Sequence, residues 1–420
     1  MFNKDKKIFL KEQFSVKNEE NSNKFVGIKI KSSNITIQFP LGYEIPHEES
    51  ELKSDIKDLL YLLSSFLDKK DGEIINNNFD FSIKTNFPIQ AYLNVINYFF
   101  SKNGNYYTEN DINYKINKKG KIDWTKTIKR IKPFFTNGSV FYLNNVVRNK
   151  EENVNKLITE IHKFCVRESF EKIGWIYTNF LPKKINAPSD KKTMISILKN
   201  KISLTHNDFD KVLFTSMIAI IEFMNTEDIN KEYFFGTEYF ERIWEKLVDA
   251  LFGEKNKSYY FPRAKWIERY GKKETKKISA LEPDTIMKYK NDYYVLDSKY
   301  YRYAVNSQPN VFSLPQSSDI NKQITYGRFV NKRKKSKNST VYNAFILPYN
   351  KNRNSFKSDK EEAVFLNVAE ATGDWIENPQ TYELVQCILI DTKYLLKNYS
   401  KDHDSNKYKL SKEIKKYFNK

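Results

Sequence analysis

Two short stretches of this chain carry residue types and spacing suited to chemistry: Glu282-Pro283-Asp284 and Asp297-Ser298-Lys299. Cutting a phosphodiester needs a metal that bridges phosphate oxygens, a water made nucleophilic near neutral pH, and stabilisation of the negative charge that develops. Carboxylates suit magnesium, which prefers oxygen ligands and keeps several waters. A lysine beside them can polarise the water or the phosphate. An Asp…Asp-x-Lys pattern arises readily by chance. The strand signals flanking both motifs, the proline before the first Asp and an acidic helix upstream weigh towards chemistry.

These residues need elements to hold them. Segments 281–288 and 293–300 read as strands joined by the turn Lys290-Asn291-Asp292. Side chains alternate faces along a strand, so Asp297 and Lys299 share a face with Tyr293 and Val295, while Leu296 and Ser298 point the other way. A hairpin brings Asp284 beside Asp297. Upstream, 237–252 reads as a helix with the apolar stripe Phe240, Ile243, Trp244, Leu247 and Leu251. Glu241 lies at the edge of that stripe and is the preferred third carboxylate, with Glu245 next and Glu238 further round. A strand near 264–268, a helix at 318–330, strands at 341–348, 363–367 and 384–390 and a final helix complete an alternation that implies an α/β layer with a mixed sheet. Ahead of it, 1–85 reads as strand-rich, with period-2 patterns at 25–30 and 34–39 and a helix at 50–67. Residues 86–230 read as mainly helical, at 89–100, 123–132, 156–177 and 212–223. The expectation is an α+β multidomain chain with its chemistry in 231–420. The first region is a candidate for DNA recognition and the second for DNA binding or dimerisation.

Composition narrows the partner. Of 420 residues, 71 are Lys or Arg and 52 Asp or Glu, a formal net charge of +19. Such an excess self-repels unless a polyanion meets it, although an AT-rich genome also enriches lysine. Basic runs flank the acidic motifs: Lys272, Lys273, Lys276 and Lys277 before them, and Lys332, Arg333, Lys334, Lys335 and Lys337 after. Both are candidate contacts to DNA phosphates. The two cysteines, Cys165 and Cys387, are far apart and form no CxxC, which argues against a disulfide scaffold or a zinc site. His47, His162, His206 and His403 are scattered, which disfavours histidine-metal hydrolases. No phosphate loop of the form G-x-x-x-x-G-K-[ST] is present, so nucleotide hydrolysis by this chain is not expected, and no G-x-S-x-G occurs. No apolar leader or membrane span is read, and a cytoplasmic, bacterial location is expected.

The motifs resemble the PD-(D/E)xK nuclease superfamily, and over 90–395 the chain is similar to the LlaJI-like restriction endonuclease family. The resembling stretches are Phe240-Glu241-x-Ile243-Trp244-Glu245, Leu281-Glu282-Pro283-Asp284, Leu296-Asp297-Ser298-Lys299-Tyr300-Tyr301 and Asp319-Ile320-x-Lys322-Gln323-x-x-Tyr326. Gly120-Lys121-Ile122-Asp123-Trp124-Thr125-Lys126-Thr127-Ile128 also fits, without assignable chemistry. The resemblance implies a C-terminal α/β nuclease core, with a mixed sheet flanked by helices. It implies metal ligation by Asp284 and Asp297, a catalytic Lys299, Glu241 as the first-helix carboxylate, and Gln323 and Tyr326 near the phosphate backbone or the metal. Ser298 stands where family members often carry Ala. The expected activity is type II-like restriction of double-stranded DNA with Mg²⁺, Mn²⁺ substituting, in a restriction-modification system with a cognate methyltransferase and a role in phage defence. A homodimer would suit two-strand cutting. Two rival readings stand beside this one: a nuclease subunit working with a separate GTPase, and a DNA-binding protein with an inert nuclease fold.

Overall fold

The computed structural model describes residues 14–18, 24–31, 34–67, 83–153, 156–224, 232–264, 266, 280–305, 310–354, 356, 363–401 and 403–418. Most of the strand expected near 264–268, and all of the basic run Lys272, Lys273, Lys276 and Lys277, lie outside the described residues. In chain order come β1 (Phe14–Asn18), β2 (Val26–Lys31), β3 (Asn34–Phe39), α1 (Glu49–Leu67) and β4 (Lys84–Thr85). Next are α2 (Ile89–Ser101), β5 (Glu109–Ile116), β6 (Lys121–Ile122), α3 (Trp124–Arg130), β7 (Phe134–Thr136), β8 (Ser139–Phe141), β9 (Val146–Asn153), α4 (Leu157–Ile173), α5 (Lys191–Leu204) and α6 (Asp208–Met224). The remainder holds β10 (Glu232–Thr237), α7 (Phe240–Phe252), β11 (Thr285–Tyr289), β12 (Asp292–Ser298), α8 (Ser317–Arg333), β13 (Val341–Tyr349), β14 (Phe365–Ala371), β15 (Val385–Asp391), α9 (Thr392–Asn398) and α10 (His403–Lys415). The described chain is thus mixed α and β with several sheets. It falls into two compact units, one built from 87–231 and the other from 9–86 with 232–420.

In the 87–231 unit, helices bury their apolar stripes together: Leu93, Ile96 and Phe99 from α2, Ile161 and Cys165 from α4, Leu213 and Met217 from α6. This segment also holds five strands that the helical expectation lacked. β5 and β9 pair in register from Glu109↔Asn153 to Ile116↔Val146. Their sequences, ENDINYKI and VVRNKEEN, carry too few apolar residues to show a period of two.

In the other unit, one sheet runs β1-β3-β2-β10-β4. β10 lies antiparallel to β2, with Gly236 opposite Gly27. The backbones come so close there that a Cβ on Gly27 would stand 2.2 Å from the Phe235 carbonyl oxygen, at φ +143. Only glycine suits this position. This pairing ties the N-terminal strands to the chain beyond 231, whereas composition sets 1–85 apart; β10 itself went unread because 237–252 reads as helix directly.

The second sheet runs β11-β12-β13-β15-β14. β12, β13 and β15 are parallel, with β11 and β14 antiparallel at the edges. α8 is the crossover from β12 to β13, as a parallel pair requires. Every residue of β13 and β15 is buried, which is why these strands read as continuous apolar runs. On one face Tyr326 and Val330 of α8 pack on Tyr293, Val295 and Val341. The alternate residue Tyr294 faces the other way, stacks on Tyr342 and receives the Lys415 ammonium of α10 over its ring. No described helix is long and apolar enough to cross a membrane.

Candidate active site

The acidic motifs meet at the end of the β11–β12 hairpin. A tight turn at Lys290-Asn291, with Lys290 at φ 53, sets the register Tyr289↔Asp292 to Thr285↔Leu296. β11 begins only at Thr285 and β12 ends at Ser298. Both strands are therefore shorter than the sequence suggests, and Asp284 and Lys299 each sit one residue outside them. Pro283 explains the first boundary, because it has no N–H to give to a ladder. Asp284 is instead anchored by its side chain: Oδ2 accepts the Ser298 N–H at 2.8 Å. The Lys257 ammonium donates to the Asp284 carbonyl and pairs with Asp249 at 2.7 Å. The Lys299 N–H donates to the Ile346 carbonyl at 2.9 Å, extending the β12–β13 ladder by one step. The Lys299 ammonium lies 2.8 Å from Asp297 Oδ2 and 3.0 Å from Asp319 Oδ1.

α7 supplies further carboxylates. Tyr300, just past Lys299, packs against Phe240 and Trp244 of α7 at 5.6 and 5.8 Å between ring centroids. That seats the helix over the end of β12. Glu245 faces the charges of Asp297 and Lys299, and burial, then Asp297, holds its carboxyl above the usual range. Glu241, one turn earlier and half-buried, acts on Glu245. The sequence places Glu241 first and Glu245 second; α7 is seated so that the Glu245 charge reaches both Asp297 and Asp284.

The electrostatics of the cluster are those of a site short of positive charge. Asp284 is pushed up to about 7, first by burial and then by the charges of Asp297 and Glu245. Asp297, 3% exposed, is also raised because its burial outweighs Lys299. Burial works against the Lys299 charge, but Asp297 and Asp319 outweigh it and hold the ammonium firmly protonated. A divalent cation would balance the Asp284–Asp297 pair. Among the described residues no group of three or more His, Cys, Asp or Glu converges on one metal position. Two carboxylates with waters and a substrate phosphate are nevertheless the ligand set that magnesium commonly takes, so the donor set fits that ion.

α8 fills other roles than its motif suggests. Gln323 is buried and donates Nε2 to the Val295 carbonyl at 2.7 Å, tying α8 to the middle of β12. Tyr326 is fully buried, with its hydroxyl 3.4 Å from the Glu282 carbonyl that precedes Pro283. Gly327 lets the helix approach β13, since a Cβ there would lie 2.4 Å from Asn343 Nδ2. Two residues that sequence reasoning left without a role do face the site. Asp319 grips Lys299, and Lys322 is held protonated against its burial by Tyr326 and by the Asp297 and Asp284 charges. Their signal was helical spacing: Asp319, Lys322, Gln323 and Tyr326 share one side of α8. Of the second basic run, Lys332, Arg333, Lys335 and Lys337 are exposed. Arg333 lies over the Tyr259 ring, and Lys334 donates to the Ser339 carbonyl.

The family model of the LlaJI restriction endonuclease matches residues 25–376. The type II restriction enzyme BsuMI component YdjA of Bacillus subtilis (strain 168) is 27% identical over 294 residues, covering 66% of this chain and 62% of that protein. The chain therefore spans less than two thirds of that relative's length. Among solved structures, a chain of the half-complex of Thermococcus gammatolerans McrB AAA+ hexamers with bound McrC matches over 93% of this chain and 82% of that chain. It does so at 14% identity and a TM-score of 0.34, too low to argue a shared fold. The family match reaches across both acidic motifs and most of the chain, and this protein belongs to the LlaJI restriction endonuclease family.

Proposed function

We propose that the chain is a nuclease with a PD-(D/E)xK core that hydrolyses double-stranded DNA at a specific sequence, with Mg²⁺ held by Asp284 and Asp297. The observation that carries this reading is the convergence of two under-neutralised carboxylates and one protonated lysine at the end of the β11–β12 hairpin. A bound magnesium ion supplies Lewis-acid activation of water and phosphate. Asp284, fixed through Ser298 N–H, and Asp297, fixed on β12, hold the ligand oxygens on a rigid sheet end. Lys299 presents its ammonium beside them and stabilises negative charge that builds on the phosphate. Asp319 keeps that ammonium oriented, and Glu245 closes the site on the α7 side.

The test is plasmid cleavage in Mg²⁺ by the wild type, Asp297→Ala and Lys299→Ala. Cleavage by the wild type alone supports the assignment; equal cleavage by all three sinks it. A second reading, of a nuclease subunit that acts only with partner subunits such as a separate GTPase, is favoured by the relative in Bacillus subtilis, which is named as a component of its enzyme. Cleavage that appears only on adding the neighbouring gene products would select it.

A further inference from the structure

Beside the acidic cluster, along the outer edge of β11, lies a cavity of about 1010 Å³ that the reaction described above does not use. Its walls are the end of α7 and the segment after it (Asp249 to Tyr260), Ile286 and Lys288 of β11, Tyr293, Lys335 beyond α8, and His403 and Lys407 of α10. Five lysines and two carboxylates line it. Both carboxylates are already matched: Asp249 by Lys257 at 2.7 Å and Glu254 by Lys407 at 2.9 Å. Lys255, Lys288 and Lys335 are exposed and form no ion pair with a described residue. The cavity thus holds a surplus of three positive charges around an open space.

Its position gives the surplus a direction. A strand rises about 3.3 Å per residue, so Ile286 and Lys288 stand roughly 7 and 13 Å along β11 from Asp284, one and two phosphate steps from the acidic pair. Lys257 joins the two places physically, since it lines the cavity and donates to the Asp284 carbonyl. The exposed ring of Tyr259, covered on one side by Arg333, adds an aromatic wall. We propose that this cavity is a DNA-backbone subsite, in which Lys255, Lys288 and Lys335 take the phosphates next to the scissile one, so that the cut strand runs along the β11 edge between the 253–260 segment and α10. The inference rests on the nuclease reading above for its substrate, though not for its test.

The experiment measures binding of a fluorescent 30-base-pair duplex without divalent metal, from 0.05 to 0.2 M salt. It compares wild type, the Lys255→Ala/Lys288→Ala/Lys335→Ala triple, and a charge-matched triple at the exposed Lys401, Lys409 and Lys412. Each lost phosphate contact lowers the salt slope by about 0.9. The subsite triple should therefore lose roughly 2.7 in slope and bind at least about tenfold more weakly at 0.1 M salt, with the control triple near wild type. Equal losses in both triples, or none in the first, overturn the subsite. Saturable binding of inorganic phosphate that vanishes in the first triple while duplex binding stays unchanged would make this a small-anion site and also overturn it. A wild type that binds duplex through these lysines yet never cleaves would remove the nuclease reading and leave the groove standing.

Discussion

Replacing Asp284 with Asn should stabilise the metal-free protein while abolishing its response to magnesium. Asp284 is raised from an ordinary 3.8 to about 7, which is worth at most about 4 kcal/mol. The sign follows from proton binding. Between pH 3.8 and 7 the folded state holds a proton that the unfolded state has released, so stability falls as pH rises through this window and the full cost stands above pH 7. At pH 8 Asn removes the charge and keeps an oxygen that accepts the Ser298 N–H. Asp284 is mostly buried but keeps some contact with water, and its proton is shared electrostatically with Asp297 and Glu245, so the expected gain is about 1–3 kcal/mol. At 2–4 °C per kcal/mol for a unit of this size, the melting midpoint should rise by several degrees at pH 8 and by little at pH 4.5. Magnesium should do for the wild type what Asn does for the variant. At a hundred times its dissociation constant it adds about 2.7 kcal/mol, and Asp284→Asn should lose most of that increment. Differential scanning calorimetry at both pH values, with and without Mg²⁺, reads all four quantities. If Asp284→Asn melts below the wild type at pH 8 without metal and retains the magnesium increment, the Asp284 charge does not destabilise the cluster and Asp284 is not a magnesium ligand.

Other perturbations separate catalysis from architecture. Lys299→Ala should cut cleavage by at least about a hundredfold, as loss of a positioned proton-transfer or charge-stabilising group does. It should also cost about 3–5 kcal/mol in urea unfolding, because Asp297 and Asp319 lose their shared partner. Glu245→Gln should reduce plasmid cleavage more than Glu241→Gln, since the Glu245 charge acts on both Asp284 and Asp297; the opposite order would return Glu241 to the preferred place. In the 87–231 unit, His162 is buried and neutral, accepts the Tyr107 N–H at Nδ1, and is depressed by burial to about 3. Its contribution is complete above pH 6.5 and is lost as pH falls towards 3, by about 2 kcal/mol at pH 5. His162→Gln should flatten that loss in urea titrations at pH 7 and pH 5.

What could be read from the chain divides along physical lines. Asp284, Asp297 and Lys299 were legible because a hairpin register is set by local turn chemistry, and alternation then decides which side chains meet. The ends of the strands were not: Asp284 is held by its side chain on the Ser298 N–H instead of a ladder bond, and Lys299 continues the ladder through Ile346, a partner far away in sequence. β10 was invisible for a related reason: six residues between two helices acquire strand character only because Gly27 and Gly236 let two backbones touch. α8 shows the same distinction within a single motif. Its Gln and Tyr suggest a role at the phosphate, but their polar atoms hold β12 and the Glu282 carbonyl, while Asp319 and Lys322 on the same side face the charges. Helical spacing names the residues that share a face. Which of them are spent on packing and which are left for chemistry is decided by the depth at which α8 lies on the sheet, and Gly327 against Asn343 sets that depth. Enlarging Gly327 to Ala should therefore lift α8, loosen Gln323 from Val295 and draw Asp319 away from Lys299 together. Cleavage should fall in step with the loss of stability at this one position, whereas Asp319→Asn should lower cleavage with little change in the melting midpoint. If Gly327→Ala melts like the wild type and cleaves normally, the helix is not positioned by that contact.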